Sequence, residues 1–110
     1  MTGVRFFAKR EVLVGFDISG HCSVDNDDEM GKVVCAAVSS VAYLTVNTIT
    51  DIIGDSCEIK CDDAIMSLRV KNPSKETVAL LEGLKLHLKS LSKQYSNNIK
   101  YYGGVDDVKD

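Results

Sequence analysis

The sequence predicts an α+β domain in which two long helices pack on a mixed or antiparallel β-sheet. Segments with the alternating apolar residues of strands occur in pairs, each pair ahead of a longer segment with the apolar spacing of an amphipathic helix. The 110 residues are enough for one domain with a modest core. We therefore predict the element order ββαββαβ, with the helices covering one face of the sheet.

The first strand pair is predicted to form a β-hairpin. Residues 4–9 and 11–19 contain the alternating apolar side chains of half-buried strands, joined at the charged run Lys9-Arg10-Glu11. In the second strand the alternation predicts that every other side chain faces the core, namely Val12, Val14, Phe16 and Ile18.

A polar, Asp-rich loop over residues 20–31 is predicted to lead into a long helix over residues 32–53, which ends at Gly54. Cys35 lies at the shoulder of the helix's apolar stripe, and Ser39, four residues later, shares that edge. An edge position allows a side chain to be anchored by the core and still reach a cleft. The residues of the stripe are Val34, Val38, Val41, Ala42, Ile49 and Ile52.

The second half of the chain is predicted to repeat this order and to add one short strand. The third strand alternates through Cys57, Ile59 and Cys61, and the fourth through Met66, Leu68 and Val70. Asn72 is the predicted N-cap of a second helix over residues 73–96. A last strand runs from Ile99 to Tyr102.

Charge and composition restrict the class of protein. We predict a single domain over residues 1–103 and a disordered acidic tail over residues 104–110. The net charge is −3, and no cluster of Lys and Arg indicates nucleic-acid binding. The N-terminus lacks the apolar stretch of a signal peptide, and we expect no membrane-spanning segment. The four cysteines are therefore expected to be reduced thiols in the cytoplasm.

The candidate chemistry depends on one histidine and one cysteine. His21 follows Gly20 at the end of the second strand, and Cys35 comes fourteen residues later at the predicted opening of the long helix. The helix dipole and a nearby imidazolium both favour a thiolate, so this pair would suffice for a cysteine nucleophile with a histidine base. The pattern alone also fits a small buried cysteine that only packs, which is the commoner role of a free cysteine.

A structural zinc site is another interpretation of the thiols. His21, Cys22, Cys57 and Cys61 are the right types of ligand, but the chain lacks the paired CxxC knuckles of such sites. Cys57 and Cys61 would lie about 13 Å apart along an extended strand, too far for a disulfide. We therefore predict neither a metal nor a cofactor.

The sequence resembles the ribosomal-processing cysteine proteases called Prp. The family signature is a Gly-His pair, a short loop and a helix that opens with Asp-Ile-Val-Cys-Ala-Ala-Val-Ser; this chain has Gly20-His21 and then Lys32-Val33-Val34-Cys35-Ala36-Ala37-Val38-Ser39. The run Leu80-Leu81-Glu82-Gly83-Leu84 in the second helix is also similar to the family's. Lys32 stands where the signature has Asp, and Cys22 where it has Ala.

The resemblance implies a homodimeric cysteine endopeptidase that removes the N-terminal extension of a large-subunit ribosomal protein. It implies Cys35 as the nucleophile and His21 as its general base, with Gly20 setting the backbone beside the histidine and Ser39 supporting the site. It further implies a mobile loop that admits the substrate peptide and then encloses it. The residues of this substrate-gating loop are Cys22, Asp25, Asp27, Asp28, Gly31 and Lys32. The alternative is a ribosome-associated binding or regulatory protein of the same fold that keeps Cys35 only for packing.

Overall fold

The computed structural model describes residues 1–20, 29–62, 65–103 and 105–108. These residues form one sheet of six strands and two long helices. The elements are β1 (Thr2–Lys9), β2 (Val12–Ser19), α1 (Glu29–Asn47), β3 (Cys57–Cys61), β4 (Ile65–Val70), α2 (Lys75–Gln94), β5 (Ile99–Tyr101) and β6 (Asp106–Asp107).

The sheet is mixed, with the strand order β3-β4-β2-β1-β5. Antiparallel pairing joins β1 to β2, β2 to β4 and β3 to β4, whereas β5 pairs parallel with β1. Both helices pack on one face, where Phe6, Phe16 and Leu68 of the sheet meet Val38 of α1 and Leu84 of α2 in a single core. The predicted fold class and element order are thereby confirmed, with one further strand.

The further strand, β6, lies in the segment that the sequence predicts to be a disordered tail. It pairs parallel with β1 at Phe7 and Ala8, and the amide of Val108 donates a hydrogen bond to the Ala8 carbonyl at 2.7 Å. The prediction of disorder over residues 104–110 is therefore wrong for this part of the tail. β5 pairs with only the first part of β1, so the rest of that edge has backbone groups for β6 to satisfy.

A β-bulge changes which residues of β2 face the core. The pairing register shifts between Phe7 and Ala8, which makes Val14 an extra residue in β2. Because side chains alternate along a strand, one extra residue exchanges the two faces on one side of the bulge. Leu13 therefore lies in the core, while Val12 is 40% exposed. The predicted core position of Val12 is wrong, whereas Val14 is buried at the bulge and the predictions for Phe16 and Ile18 are confirmed.

The end of α1 continues as a π-helical segment, Thr48–Ile53. Its hydrogen bonds span five residues, as between the amide of Gly54 and the carbonyl of Ile49 at 2.8 Å. The wider turn moves Ile52 out of the apolar stripe, so that its side chain is 80% exposed and Ile53 packs against the core instead. The prediction for Ile52 is wrong, and the rest of the stripe is buried or partly buried.

The composition of this long helical segment also departs from expectation. Residues 33–50 contain no charged side chain, and the segment Glu29–Ile53 is long and apolar enough to cross a membrane by length and composition. A core helix passes the same test, and a third of the most apolar stretch is buried. Packing of one face against the sheet accounts for the buried part of that composition, while Val33 and Leu44 on the outer face are exposed.

The N-terminus of α2 is capped by Ser74 and not, as predicted, by Asn72. The Ser74 hydroxyl accepts a hydrogen bond from the Thr77 amide at 3.3 Å. The carboxylate of Asp55 in turn accepts from both the amide and the hydroxyl of Ser74 at 2.9 Å. These bonds, together with one to Thr77, hold the pKa of Asp55 below its ordinary value.

Candidate active site

The candidate site begins with the position of Cys35 in α1. The helix begins at Glu29, three residues earlier than predicted, so Gly31 and Lys32 belong to the helix and not to a loop. Gly31 is buried, and Lys32 forms an ion pair with Glu29 at 3.6 Å in the first turn. The predicted end of the gating loop is therefore corrected, and a role for Lys32 toward the substrate stays a prediction.

This earlier start removes Cys35 from the end of the helix. Cys35 is the seventh residue of α1, about 9 Å along the axis from Glu29 at ~1.5 Å per residue. Only the first four amides of a helix lack partners within it, and the effect of the dipole falls off within the first turn. The predicted stabilisation of a Cys35 thiolate by the helix N-terminus is therefore weak in this fold.

Cys35 and two of the predicted supporting residues line one cavity of about 150 Å³. The cavity lies beside α1, at the ends of β2, β3 and β4. Cys35 is half-buried, and Ser39 is exposed one turn further along the helix. The fold thus brings together Cys35, Ser39 and Gly20. The lining residues are Ile18, Gly20, Cys35, Val38, Ser39, Ala42, Tyr43, Cys61, Asp62, Ile65 and Met66.

Gly20 has a backbone conformation that only glycine adopts readily. Its φ is +87°, and a Cβ there would lie 2.5 Å from the carbonyl oxygen of Met1. The chain leaves β2 through this residue immediately before His21. Gly20 therefore fixes the direction in which the chain departs from the wall of the cavity.

The structure adds Tyr43 and Cys61, which the sequence does not place in the site. The Tyr43 hydroxyl lies 3.3 Å from Sγ of Cys61, linking α1 to the end of β3. This bond, and then the charge of the thiolate, raise the pKa of Tyr43. The spacing Cys35, Ser39, Tyr43 at four-residue intervals is the sequence signal that could have found Tyr43.

Cys57 lies at the other end of β3 and does not line the cavity. It is half-buried against the core, and this burial raises the pKa of its thiol, with a further contribution from the negative charge of Asp55. Cys57 and Cys61 therefore do not converge. Within the part of the chain that the structure describes, no group of three His, Cys, Asp or Glu residues could hold a metal ion.

Several predicted site residues lie outside the described residues. These are His21, Cys22, Asp25, Asp27 and Asp28. The pairing of His21 with Cys35 and the gating role of the acidic loop stay predictions.

The arrangement has the chemistry of a peptide-binding nucleophile site. A thiol stands at the edge of a cavity whose buried walls, from Ile18, Val38, Ala42 and Met66, are apolar, while a hydroxyl and a carboxyl group line the rest. A cavity of about 150 Å³ has room for a group the size of benzene. One apolar side chain of a bound peptide can therefore be anchored next to Cys35.

Comparison with known proteins identifies the same fold. The chain is similar to the crystal structure of SMU.848 from Streptococcus mutans, with a TM-score of 0.84 and 18% identity over 98% of this chain and 99% of that one. It is also similar to the ribosomal processing protease Prp from S. aureus in complex with a covalently linked product peptide, with a TM-score of 0.81 and 20% identity over 98% and 100% of the two chains.

A second structure of that S. aureus protease, in complex with a substrate peptide, has a TM-score of 0.81 and 22% identity over 93% of this chain and 98% of that one. No curated protein matches the sequence. The family model of cysteine protease Prp matches residues 1–100, which is nearly the whole chain. The protein therefore belongs to the Prp family of cysteine proteases.

Proposed function

We propose that this cysteine protease removes the N-terminal extension of a large-subunit ribosomal protein, with Cys35 as the nucleophile and His21 as its general base. The observation that carries the proposal is that Cys35, Gly20 and Ser39 line one cavity. His21 is the next residue in the chain after Gly20, so the proposed base directly follows a residue that lines the cavity. The two S. aureus Prp complexes, with a substrate peptide and with a covalently linked product peptide, support a peptide substrate.

The reaction follows from this chemistry. His21 takes the proton of Cys35, and the thiolate attacks the scissile carbonyl to give a tetrahedral oxyanion. Collapse expels the amine, which receives the proton from His21, and leaves an acyl-enzyme that water then hydrolyses. Since Cys35 lies in the second turn of α1, the imidazole must supply the activation that the dipole does not.

The oxyanion donors are also restricted by the helix. The amide of Cys35 lies within α1, where it is engaged in the helical hydrogen bonds, so it is not available to an oxyanion. The donors are then amides without a helical partner, either those of the first turn of α1 or those of the segment that follows Gly20.

A cleavage assay tests the proposal. The substrate is the extended ribosomal protein of the same organism, and the product is read by mass spectrometry. We expect Cys35→Ala and His21→Ala each to abolish cleavage, whereas Cys57→Ala, at the far end of β3, retains it. Full cleavage by Cys35→Ala would overturn the nucleophile assignment, and no cleavage by the unaltered protein would overturn the substrate.

We also propose that the protein works as a cytoplasmic homodimer. Its support is the outer face of α1, where Val33 and Leu44 are 61% and 62% exposed although both are large and apolar. Eleven residues apart, they lie on the same side of the helix. Light scattering tests this: we expect a dimer for the unaltered chain and a monomer for Leu44→Glu.

A further inference from the structure

The face of the sheet that the helices leave uncovered has the opposite charge to the whole chain. The net charge of the chain is −3, but alternate residues of the strands bring six cations to this surface, which we call the basic sheet face. Among the described side chains, its carboxylates are Asp17 and Glu58. The cations are Arg5, Lys9, Lys60, Arg69, Lys71 and Lys100.

The strand register assembles this face from residues that are distant in the sequence. One row runs across five strands through directly paired neighbours, Lys60 to Ser67, Ser67 to Asp17 and Asp17 to Arg5. The parallel pairing of β5 with β1 then places Tyr102 next to Arg5. At ~4.8 Å between strands, the row is about 19 Å long. No two charged residues of this row are neighbours in the sequence. The row therefore cannot be recognised from runs of charge along the chain.

The aromatic rings on this face lie against the cations. The Arg5 guanidinium lies 3.9 Å from the centre of the Tyr102 ring, and the Lys100 ammonium lies 5.0 Å from it. On the next row, the Arg69 guanidinium lies 3.7 Å from the centre of the Phe7 ring. Gly15 lies between Arg69 and Phe7 in the register, and its lack of a side chain leaves room for that contact.

The orientation of Arg69 distinguishes between possible anionic partners. Its Nη1 donates to the Leu68 carbonyl at 2.8 Å and to Asp17 Oδ1 at 3.0 Å, which holds the guanidinium in place on the face. The Arg69 side chain is nevertheless 32% exposed. A guanidinium that is held at one nitrogen and has a ring against one plane can present its other plane, and nucleic-acid bases stack on such planes.

We propose that the basic sheet face binds single-stranded RNA. The cations supply phosphate contacts, while the guanidinium planes of Arg69 and Arg5, which lie against the rings of Phe7 and Tyr102, supply stacking surfaces for unpaired bases. An acidic protein segment fits less well, because its carboxylates bind the edges of a guanidinium, whereas bases stack on its planes. The face lies on the opposite side of the sheet from α1, so RNA bound there leaves the cavity at Cys35 open. Only the choice of RNA over DNA rests on the proposed ribosomal function.

Binding is measured by fluorescence anisotropy with a labelled single-stranded RNA of about 12 nucleotides of mixed sequence. The test variant is the double substitution Lys60→Gln with Lys100→Gln, both exposed on the basic sheet face. The control is Lys89→Gln with Lys93→Gln, both exposed on α2. The two variants change the net charge equally, so only the place of the charge differs.

We expect the sheet variant to weaken RNA binding by about tenfold or more at ~50 mM salt and to reduce the salt slope by ~1.4, about 0.7 for each phosphate contact. The α2 variant should bind like the unaltered protein. Equal losses in the two variants, or no binding by the unaltered protein, would overturn the proposal. Competition by poly-L-glutamate as strong as by RNA, charge for charge, would overturn the choice of nucleic acid.

A single-stranded DNA of the same sequence tests the choice of RNA over DNA. If the protein binds the DNA as tightly as the RNA, that choice is overturned. The peptide-cleavage rate of the sheet variant is measured in parallel and should be unchanged. Because Lys60 and Lys100 do not line the cavity, this reading separates failure of the RNA proposal from failure of the proposed protease function.

Discussion

The hydroxyl of Tyr43 and the thiol of Cys61 meet at 3.3 Å and join α1 to the end of β3 at the wall of the cavity that contains Cys35. The contact links residues eighteen positions apart and ties the helix that contains Cys35 to an edge strand. Cys61 is thus a second thiol in the lining of the cavity that contains the candidate nucleophile, Cys35.

The first prediction concerns the titration of Tyr43. Its hydrogen bond to Cys61 and the charge of that thiolate raise the pKa of Tyr43, so Cys61→Ala should let the phenol ionise at lower pH. The measurement is an NMR titration of the Tyr43 ring carbon attached to oxygen. Cys57→Ala is the control and should leave the titration of Tyr43 where it is. An unchanged titration in Cys61→Ala would show that the two groups do not interact in solution.

The second prediction compares two glycines with nearly the same backbone conformation. Gly20 and Gly54 have φ values of +87° and +85°, and a Cβ on Gly54 would meet nothing within 4 Å. Gly54→Ala should therefore cost only the left-handed strain, roughly 1–2 kcal/mol. Gly20→Ala adds the clash with Met1 and should cost about 1–3 kcal/mol more.

Denaturant unfolding measures both free energies, and the cleavage assay is run on both variants. We expect Gly20→Ala to lose activity even under conditions where it is folded, because the chain then leaves the cavity wall in another direction. Equal stability losses in the two variants would show that the approach to Met1 has no energetic consequence.

The third prediction concerns Asp55 and the start of α2. Its pKa is lowered in the folded protein, chiefly by the Ser74 amide, so the ionised form stabilises the fold above the ordinary pKa of about 3.9. That stabilisation is lost as the pH falls through the lower, folded-state pKa. Asp55→Asn should therefore lower the free energy of unfolding at neutral pH, and the difference from the unaltered protein should disappear in strong acid.

The control for this experiment is Asp51→Asn, which removes the same charge from the neighbouring π-helical segment. The Asp51 carboxylate accepts from the adjacent Thr50 hydroxyl and not from α2. A pH-independent difference between Asp55→Asn and the unaltered protein would contradict an electrostatic role for Asp55.

The fourth prediction concerns the reactivity of Cys57. Burial and the Asp55 carboxylate raise the pKa of this thiol, so less of it is thiolate at pH 8. Asp55→Asn should increase the alkylation rate of Cys57, measured by mass spectrometry of the labelled peptide. The control is again Asp51→Asn, which removes the same charge at another position. An equal increase in the alkylation rate of Cys57 in that variant would contradict a direct effect of Asp55.

The sequence is sufficient to predict the element order and three of the residues that meet at the cavity. Strand alternation and helical spacing are local patterns, and local patterns place Cys35 and Ser39 on one helix edge. The start of α1 and the π-helical segment are harder to predict, because hydrogen bonding and packing, and not the residue types alone, decide where a helix begins and how it winds.

The features that the sequence does not reveal depend on pairing between strands. The bulge at Val14 arises from the register of β1 against β2, and the basic sheet face arises from the register of five strands. The bond between Tyr43 and Cys61 likewise depends on how α1 lies over the sheet. Such contacts join residues that have no pattern in common along the chain.

The central claim is that His21 activates Cys35, and the pH dependence of Cys35 alkylation tests it most directly. Cys57 in the same sample is the internal control, because its thiol packs against the core and has no proposed catalytic role. We expect Cys35 to be alkylated faster than Cys57 at and below neutral pH, and His21→Ala to remove that difference. A Cys35 that reacts no faster than Cys57, or whose profile is the same in His21→Ala, would contradict the account.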